Sequence, residues 1–440
     1  MTTDPRGLRS DAPLLDAWLT FHEQAPTPFT IPGHKQRHDL VGDVVAGDVP
    51  LYAGLDTMKL TTGVLLDAEA RAAQLWGAEV CRFSTGGATH ANQALALAVA
   101  GDGDQVVVSR TLHRSMLLGL VLAGLTPIWV RPEVDAATGL PLGVAPETVA
   151  TALAEHPDAR AVFVGDPSYV GTVGDVAGLA DAAHHHGSAH KTLPAWSQAA
   201  IILANTERID PSRLDAAVEA TATTSPAGAI LASIDASRAL LARDGEALLG
   251  TAITATRAAR DRLRQVPGLT VVDGPHVDPA KLILVLSGTG ADGNAVEEDL
   301  LHAGMPVESA DRDVLIAVVS LADTVEGLTR LADAMAASVE RHRGAPRPVV
   351  GAASYSVDPV TLMPPRQAFF SPATAVPARE AIGRVSAELI APYPPGIPVL
   401  APGEEITEAA LSALLQARDA GVRIAYAADP TLHTLRVTAP

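Results

Sequence analysis

Between residues 80 and 187 the chain alternates short apolar runs with stretches of helical character. No other feature restricts its fold as strongly. The runs are Val80–Phe83, Gln105–Ser109, Ile128–Val130 and Ala161–Gly165. They are close to continuous in apolar residues rather than alternating, so both faces of each strand must be covered. The stretches Ala91–Ala100, Met116–Ala123, Pro146–His156 and Asp175–His186 carry helical patterning, and Gly187 closes the last of them. Strand followed by helix, repeated, predicts a mostly parallel sheet covered by helices, an α/β fold. Such sheets bind ligands at the carboxyl ends of their strands. The residues placed there are Thr89, His113, Asp166, Ser168 and Lys191.

Two of these segments carry recognisable chemistry. Ser84-Thr85-Gly86-Gly87-Ala88-Thr89-His90 joins a strand to a helix. A glycine-rich turn at a helix N-terminus offers backbone N–H groups and the positive end of the dipole to an anion. The same residues also suit an ordinary tight turn with a threonine cap. No GxxxxGK[ST] pattern occurs, which argues against a P-loop nucleotide site. The second segment runs from Ser188 to Gln198 and contains His190-Lys191, just before the apolar run Ala199–Ala204. It is too polar for a full buried strand. A lysine stripped of water there suits Schiff-base chemistry with a carbonyl cofactor. An isolated lysine is usually solvated surface, so its weight comes from the residues around it.

Composition narrows the partners. A formal net charge of −18 disfavours nucleic-acid backbones and anionic membranes. Cys81 is the only cysteine, so there is no disulfide framework, and a reducing cytoplasm is expected. No apolar leader follows Met1, and Met116–Val130 is interrupted by Gly119, Gly124 and Pro127, too broken to span a bilayer. His184-His185-His186 point in separate directions on a helix, so no metal is expected there. Glu404-Glu405 reads as surface, and Cys81 as a small core residue.

Residues 1–50 read as an arm, with a helical stripe at Leu14, Leu15, Trp18 and Leu19 followed by an extended path through Pro26, Pro28 and Pro32 to Gly33-His34-Lys35. Residues 51–244 form the major domain. Residues 245–345 read as a smaller α/β domain, entered by a helix from Ala236 to Gln265. Its strands are Leu269–Val272, Lys281–Leu286 and Val314–Ser320, and its helices Asp292–Ala303 and Thr324–Arg343. Residues 346–440 form a C-terminal domain. It has a loop at Pro359–Pro365, a helix at Ala378–Leu389, a rigid proline-rich run to Glu404, a helix at Glu408–Ala420 and two short strands.

Several stretches match one family in order: Ile31–Lys35, Ser84–Gln93, Thr111–Ser115, Pro167–Gly171, Ser188–Gln198, Thr223–Pro226 and Ala391–Glu404. The chain resembles the bacterial Orn/Lys/Arg decarboxylases, pyridoxal 5'-phosphate (PLP) enzymes of fold type I with an aspartate-aminotransferase-like architecture. The resemblance implies that Lys191 is the Schiff-base lysine and His190 its neighbour. It implies that Gly87, Ala88, Thr89 and His90 form the phosphate cup, with Ser188 helping to hold the phosphate. His113 would stack on the pyridine ring, Thr223 would reach the phosphate of the partner subunit, and His34 would belong to an arm near the active site. It further implies a cytoplasmic homodimer or larger homo-oligomer that decarboxylates arginine, lysine or ornithine, in polyamine metabolism.

One departure stands out. The family carries an Asp-x-Ala-x-Gly-Ala-His strand before the Ser-x-His-Lys segment, and its aspartate pairs with the pyridine nitrogen. Here His186-Gly187 runs directly into Ser188. Asp166 is the candidate substitute. The gap leaves open a catalytically impaired homologue serving as an assembly or regulatory partner. Another fold-type-I reaction, such as transamination, is a further alternative.

Overall fold

The structure is a computed structural model describing residues 4, 6–24, 32–49, 55, 63–175, 186–349, 357–358, 360–393 and 396–439. The expected extended path through Pro26 and Pro28 and most of the helix Asp175–His186 lie outside these residues. In chain order the strands are β1 (Val80–Ser84), β2 (Gln105–Ser109), β3 (Thr126–Val130), β4 (Val162–Phe163), β5 (His186–Ser188), β6 (Ala200–Ala204), β7 (Thr270–Val271), β8 (Lys281–Val285), β9 (Ser309–Ala310), β10 (Val314–Val318), β11 (Ala373–Pro377), β12 (Ala391–Tyr393), β13 (Arg423–Ala425) and β14 (Thr434–Thr438). The residues form two compact units. One comprises 1–99, 184–250 and 320–322, and the other 100–183, 251–319 and 323–440.

In the first unit β6 lies between β1 and β5 and is antiparallel to both, so β1 and β5 run parallel to each other. The helix Val64–Leu75 packs its buried face, Leu65, Ala68 and Ala72, against Cys81 and Phe83 of β1 and Ile201 of β6. Each fully buried large aliphatic side chain contributes about 1.5–3 kcal/mol. Gly77, at φ 66°, ends that chain segment in the left-handed region, and Ala78 N–H reaches back to Ala73 O at 2.9 Å. Cys81 is buried as expected, and burial pushes its thiol up. The arm is tied down by Asp235, a fully buried carboxylate that accepts from Leu14 N–H at 2.8 Å and pairs with Arg238 at 2.7 Å.

In the second unit β3-β2-β4 is the parallel sheet that the alternation predicts. Val107 and Val130 pack there with Val144, Val149 and Ala152. The four-stranded antiparallel sheet β7-β8-β10-β9 packs under the helices Gly293–His302 and Val325–Arg341, which Asp292 and Thr324 cap through their side chains.

Three local expectations are corrected. The helix expected from Ala236 starts at Gly228 and runs to Leu263, through the expected boundary at 245, because Gly228–Ile234 is apolar enough to be buried as helix. His186 and Gly187 are strand rather than the end of a helix: their partners on β6 are Ile202 and Ile201. The helix expected over Ala378–Leu389 is only a 3₁₀ turn at Ala378–Ala381. Beyond it Ser386 N–H goes to Glu404 O and Ala387 N–H to Arg436 O, so sheet-like partners displace the helical ones. The loop expected at Pro359–Pro365 is present over its described residues 360–364 and is followed at once by a helix, Pro365–Phe370.

Candidate functional site

The ladder of the first unit brings two of the expected segments to one sheet edge. Ser84 pairs with Ala200, and Ala200 with Ser188, so these three residues form one row across β1, β6 and β5. Because β1 and β5 are parallel, the chain leaves both at the same edge. Beyond Ser84 comes the glycine-rich turn and the 13-residue helix Gly87–Val99. Beyond Ser188 comes a short helical turn, Ala189–Thr192, which contains His190 and Lys191. The Lys191 side chain is exposed, not desolvated as the sequence suggested. The far end of its loop is fastened to the turn, since Gly87 N–H donates to Gln198 O at 2.7 Å. Gly87 sits at φ 70°, in the left-handed region, so glycine serves the backbone turn, while an added Cβ would meet Gln198 Cα only at an ordinary contact distance of 3.7 Å.

The turn is less uniform than its sequence. Gly86 and Thr89 are exposed and Ala88 is partly exposed, while Ser84, Thr85 and His90 are buried. The His90 ring is directed inward: Nδ1 lies 2.7 Å from Ser84 Oγ and Nε2 3.1 Å from Val218 O. His90 therefore braces the turn instead of offering its imidazole to an anion. With the Gly87 N–H given to Gln198 O and the His90 N–H to Gly86 O, the N–H groups of Ala88 and Thr89 are the suited donors, with Thr89 Oγ1 beside them. Thr223 is exposed, and its hydroxyl accepts from Ser225 N–H at 3.2 Å. His34 Nε2 lies 3.2 Å from Asp48.

Burial pushes the His90 imidazole below its ordinary value of 6.5. The folded protein then holds His90 neutral while the unfolded chain takes a proton. Stability is complete above the ordinary value and declines as pH falls through it toward the folded value, by at most about 1.4 kcal/mol per pH unit. Urea midpoints measured from neutral to mildly acidic pH should fall, and His90→Gln should flatten part of that decline.

The second unit holds His113, Asp166 and Ser168. His113 follows β2 and caps the helix Arg114–Ala123, its Nδ1 accepting from Ser115 N–H at 3.2 Å with the ring exposed to solvent. Asp166, past β4, accepts from Gly174 N–H at 2.6 Å and closes its turn. Ser168 is buried, bonded to Thr172 Oγ1 at 2.6 Å.

Sequence reasoning missed a buried ion pair beside His113. Arg110 and Glu404 have side chains only 2% exposed, and their Nη1–Oε1 and Nη2–Oε2 distances are 2.6 and 2.9 Å. Glu404 is thus core, not surface. Only the run Ala401-Pro402-Gly403-Glu404, small and apolar up to the charge, hinted that the carboxylate turns inward.

A lysine loop and a glycine-rich helix N-terminus leaving one edge of an α/β sheet define a fold-type-I architecture. The chain belongs to the Orn/Lys/Arg decarboxylase family: residues 12–188 and 186–289 match its major domain and 350–423 its C-terminal domain. It is 30% identical to an arginine decarboxylase of Halalkalibacterium halodurans over 98% of both chains. It is 29% identical to one of Bacillus subtilis, over 97% of this chain and 98% of that one. Among solved structures, Francisella novicida lysine decarboxylase LdcF superposes with TM-score 0.81 at 19% identity, covering 98% of this chain and 82% of that one. The Escherichia coli constitutive lysine decarboxylase gives 0.78 at 18%, covering 97% and 82%. The major-domain match comes in two segments that meet at residues 186–188. The Bacillus subtilis alignment spans 486 positions against a chain of 440, so that relative carries stretches with no counterpart here.

Proposed function

We propose that the protein is a PLP-dependent decarboxylase converting a basic amino acid to its amine and CO₂. The reading rests on the single row Ser84–Ala200–Ser188, which sends the glycine-rich turn and Lys191 out of the same sheet edge. The donor set fits the cofactor: an amine for its carbonyl, and a helix N-terminus for its phosphate. When bound, PLP supplies a conjugated ring able to accept the electron pair left by CO₂.

The protein's own residues bind and orient. Gly87, Ala88, Thr89 and His90 shape the phosphate turn, with His90 as its brace, and Ser188 closes it. Lys191 Nζ would hold the cofactor through its carbonyl and would move a proton at the reacting carbon, with His190 next to it in sequence. His113 would pack on the ring, and Thr223 would help hold the phosphate of the partner subunit in a homodimer or larger homo-oligomer. Anchoring a remote phosphate lets binding energy from a non-reacting group serve the reacting one. The net charge of −18 favours a cationic substrate. The names of the relatives that match end to end make arginine the first substrate to test, ahead of lysine and ornithine. Among the described residues no helix is long and apolar enough to cross a membrane.

A second reading is a catalytically impaired homologue acting as an assembly or regulatory partner. The break of the family match at 186–188 favours it, since the expected carboxylate strand belongs there. Asp166 as substitute is the weaker idea, because its carboxylate already closes a turn. Amine and CO₂ measured together separate the readings. Equal yields of both from one basic amino acid support decarboxylation. A visible cofactor band with no CO₂ from arginine, lysine or ornithine supports the impaired homologue.

A further inference from the structure

The segment Arg110–Arg114 contains His113 and is held at both ends by the C-terminal domain. At one end, Arg110 leaves β2 with its N–H bonded to Val130 O at 2.8 Å. Its guanidinium grips Glu404 with both terminal nitrogens and also donates to Pro398 O and Val399 O, each at 3.2 Å. Glu404 is fixed in turn by Ala401 N–H, which donates to its Oε2 at 2.8 Å. The Trp129 ring covers the guanidinium at 4.7 Å. The two carboxylate oxygens and two backbone carbonyls each accept from the guanidinium along a defined direction. At the other end, Arg114 lies over the Tyr426 ring at 4.2 Å. The helix that starts at Arg114 is held at its far end too, where Arg366 donates to Leu122 O at 2.8 Å.

We infer that the C-terminal domain is a positioning device for His113. The stretch from Pro398 to Glu404 acts as a strut that fixes Arg110, and with it the direction in which the His113 ring is presented. This rests on the proposed role of His113 against the cofactor ring, but the strut itself can be tested without cofactor. A planar guanidinium in bidentate contact transmits orientation in a way that apolar packing does not. Its complete burial also goes beyond what anchoring a surface loop would require. Arg110 and Glu404 are positioning residues here, because neither is placed against substrate or cofactor.

The test replaces the pair by apolar residues of similar volume, Arg110→Met with Glu404→Leu. Such replacements tend to preserve stability while removing direction. Thermal unfolding should therefore stay close to the wild type. In the cofactor-free protein, amide exchange at Thr111–Ser115 should rise about tenfold, with the strands β8 and β10 unchanged. Unchanged exchange at Thr111–Ser115 would overturn the strut whatever the cofactor does. With PLP added, the dissociation constant should rise about tenfold and the visible circular dichroism of the bound cofactor should weaken. Faster exchange with an unaltered cofactor signal would overturn the positioning role and leave ordinary packing. If wild-type protein gives no visible band, the functional reading fails, and the exchange result alone decides the strut. Arg110→Lys, which keeps the charge but loses the fork, should fall between wild type and the double variant.

Discussion

Lys191→Ala is expected to abolish amine formation, by about 10⁴-fold, the upper end of what one positioned proton-transfer group contributes. The visible band with PLP should vanish with it. The fold should not suffer. Lys191 is exposed within a short helical turn, alanine is the strongest helix former, and surface substitutions of this kind usually shift stability by about 0.5 kcal/mol or less. This separation gives the experiment its force. An exposed lysine without a chemical role would leave both activity and unfolding unchanged, and a structural lysine would move both. Only a covalent anchor loses cofactor and turnover while the melting curve stays where it was. Amine release, absorbance and thermal unfolding on one preparation read all three.

Glu404→Ala is expected to have the largest effect on stability of any single change considered. It removes a carboxylate that is buried together with its partner and leaves the Arg110 guanidinium in the core with two backbone carbonyls and an aromatic face. Breaking one side of such a pair costs about 3–5 kcal/mol, because a desolvated charge is left uncompensated. That is a large share of the roughly 5–15 kcal/mol that holds a typical domain folded. Urea unfolding should show it directly. The Arg110→Met, Glu404→Leu double variant should be more stable than Glu404→Ala alone, a non-additivity that marks direct coupling.

Periodicity made the sheet legible. Runs such as Gln105–Ser109 are apolar on both faces, as a covered strand requires, and β2 is parallel to both its neighbours, whereas the expected run Val80–Phe83 pairs antiparallel with the equally apolar β6. Lys191 was singled out through its neighbours Ser188 and His190 and the following apolar run, and the structure places it in a short helical turn beyond β5. The inward turn of His90 was not. Its ring direction depends on Val218, 128 residues away in sequence. Glu404 was misread for the same reason, as its partner lies 294 residues earlier. The residues from Ala378 failed in a different way: their Ala, Glu and Leu content favours helix, but backbone bonds to Glu404 and Arg436 outweighed that preference. Local propensity is worth tenths of a kcal/mol per residue, and tertiary partners decide once several such bonds are available.

The strands β4 and β5 each stand at the end of their own sheet order, and they have two and three residues. The outer edge of a sheet presents unpaired peptide groups that can recruit a strand from a neighbouring molecule, and natural proteins blunt such edges by keeping them short. Edges this brief offer only a few groups, below the five- to seven-residue stretches that seed intermolecular sheets. The same brevity leaves few groups at these two edges for a neighbouring strand to capture, whereas β1 and β3, at the opposite ends, have five residues each.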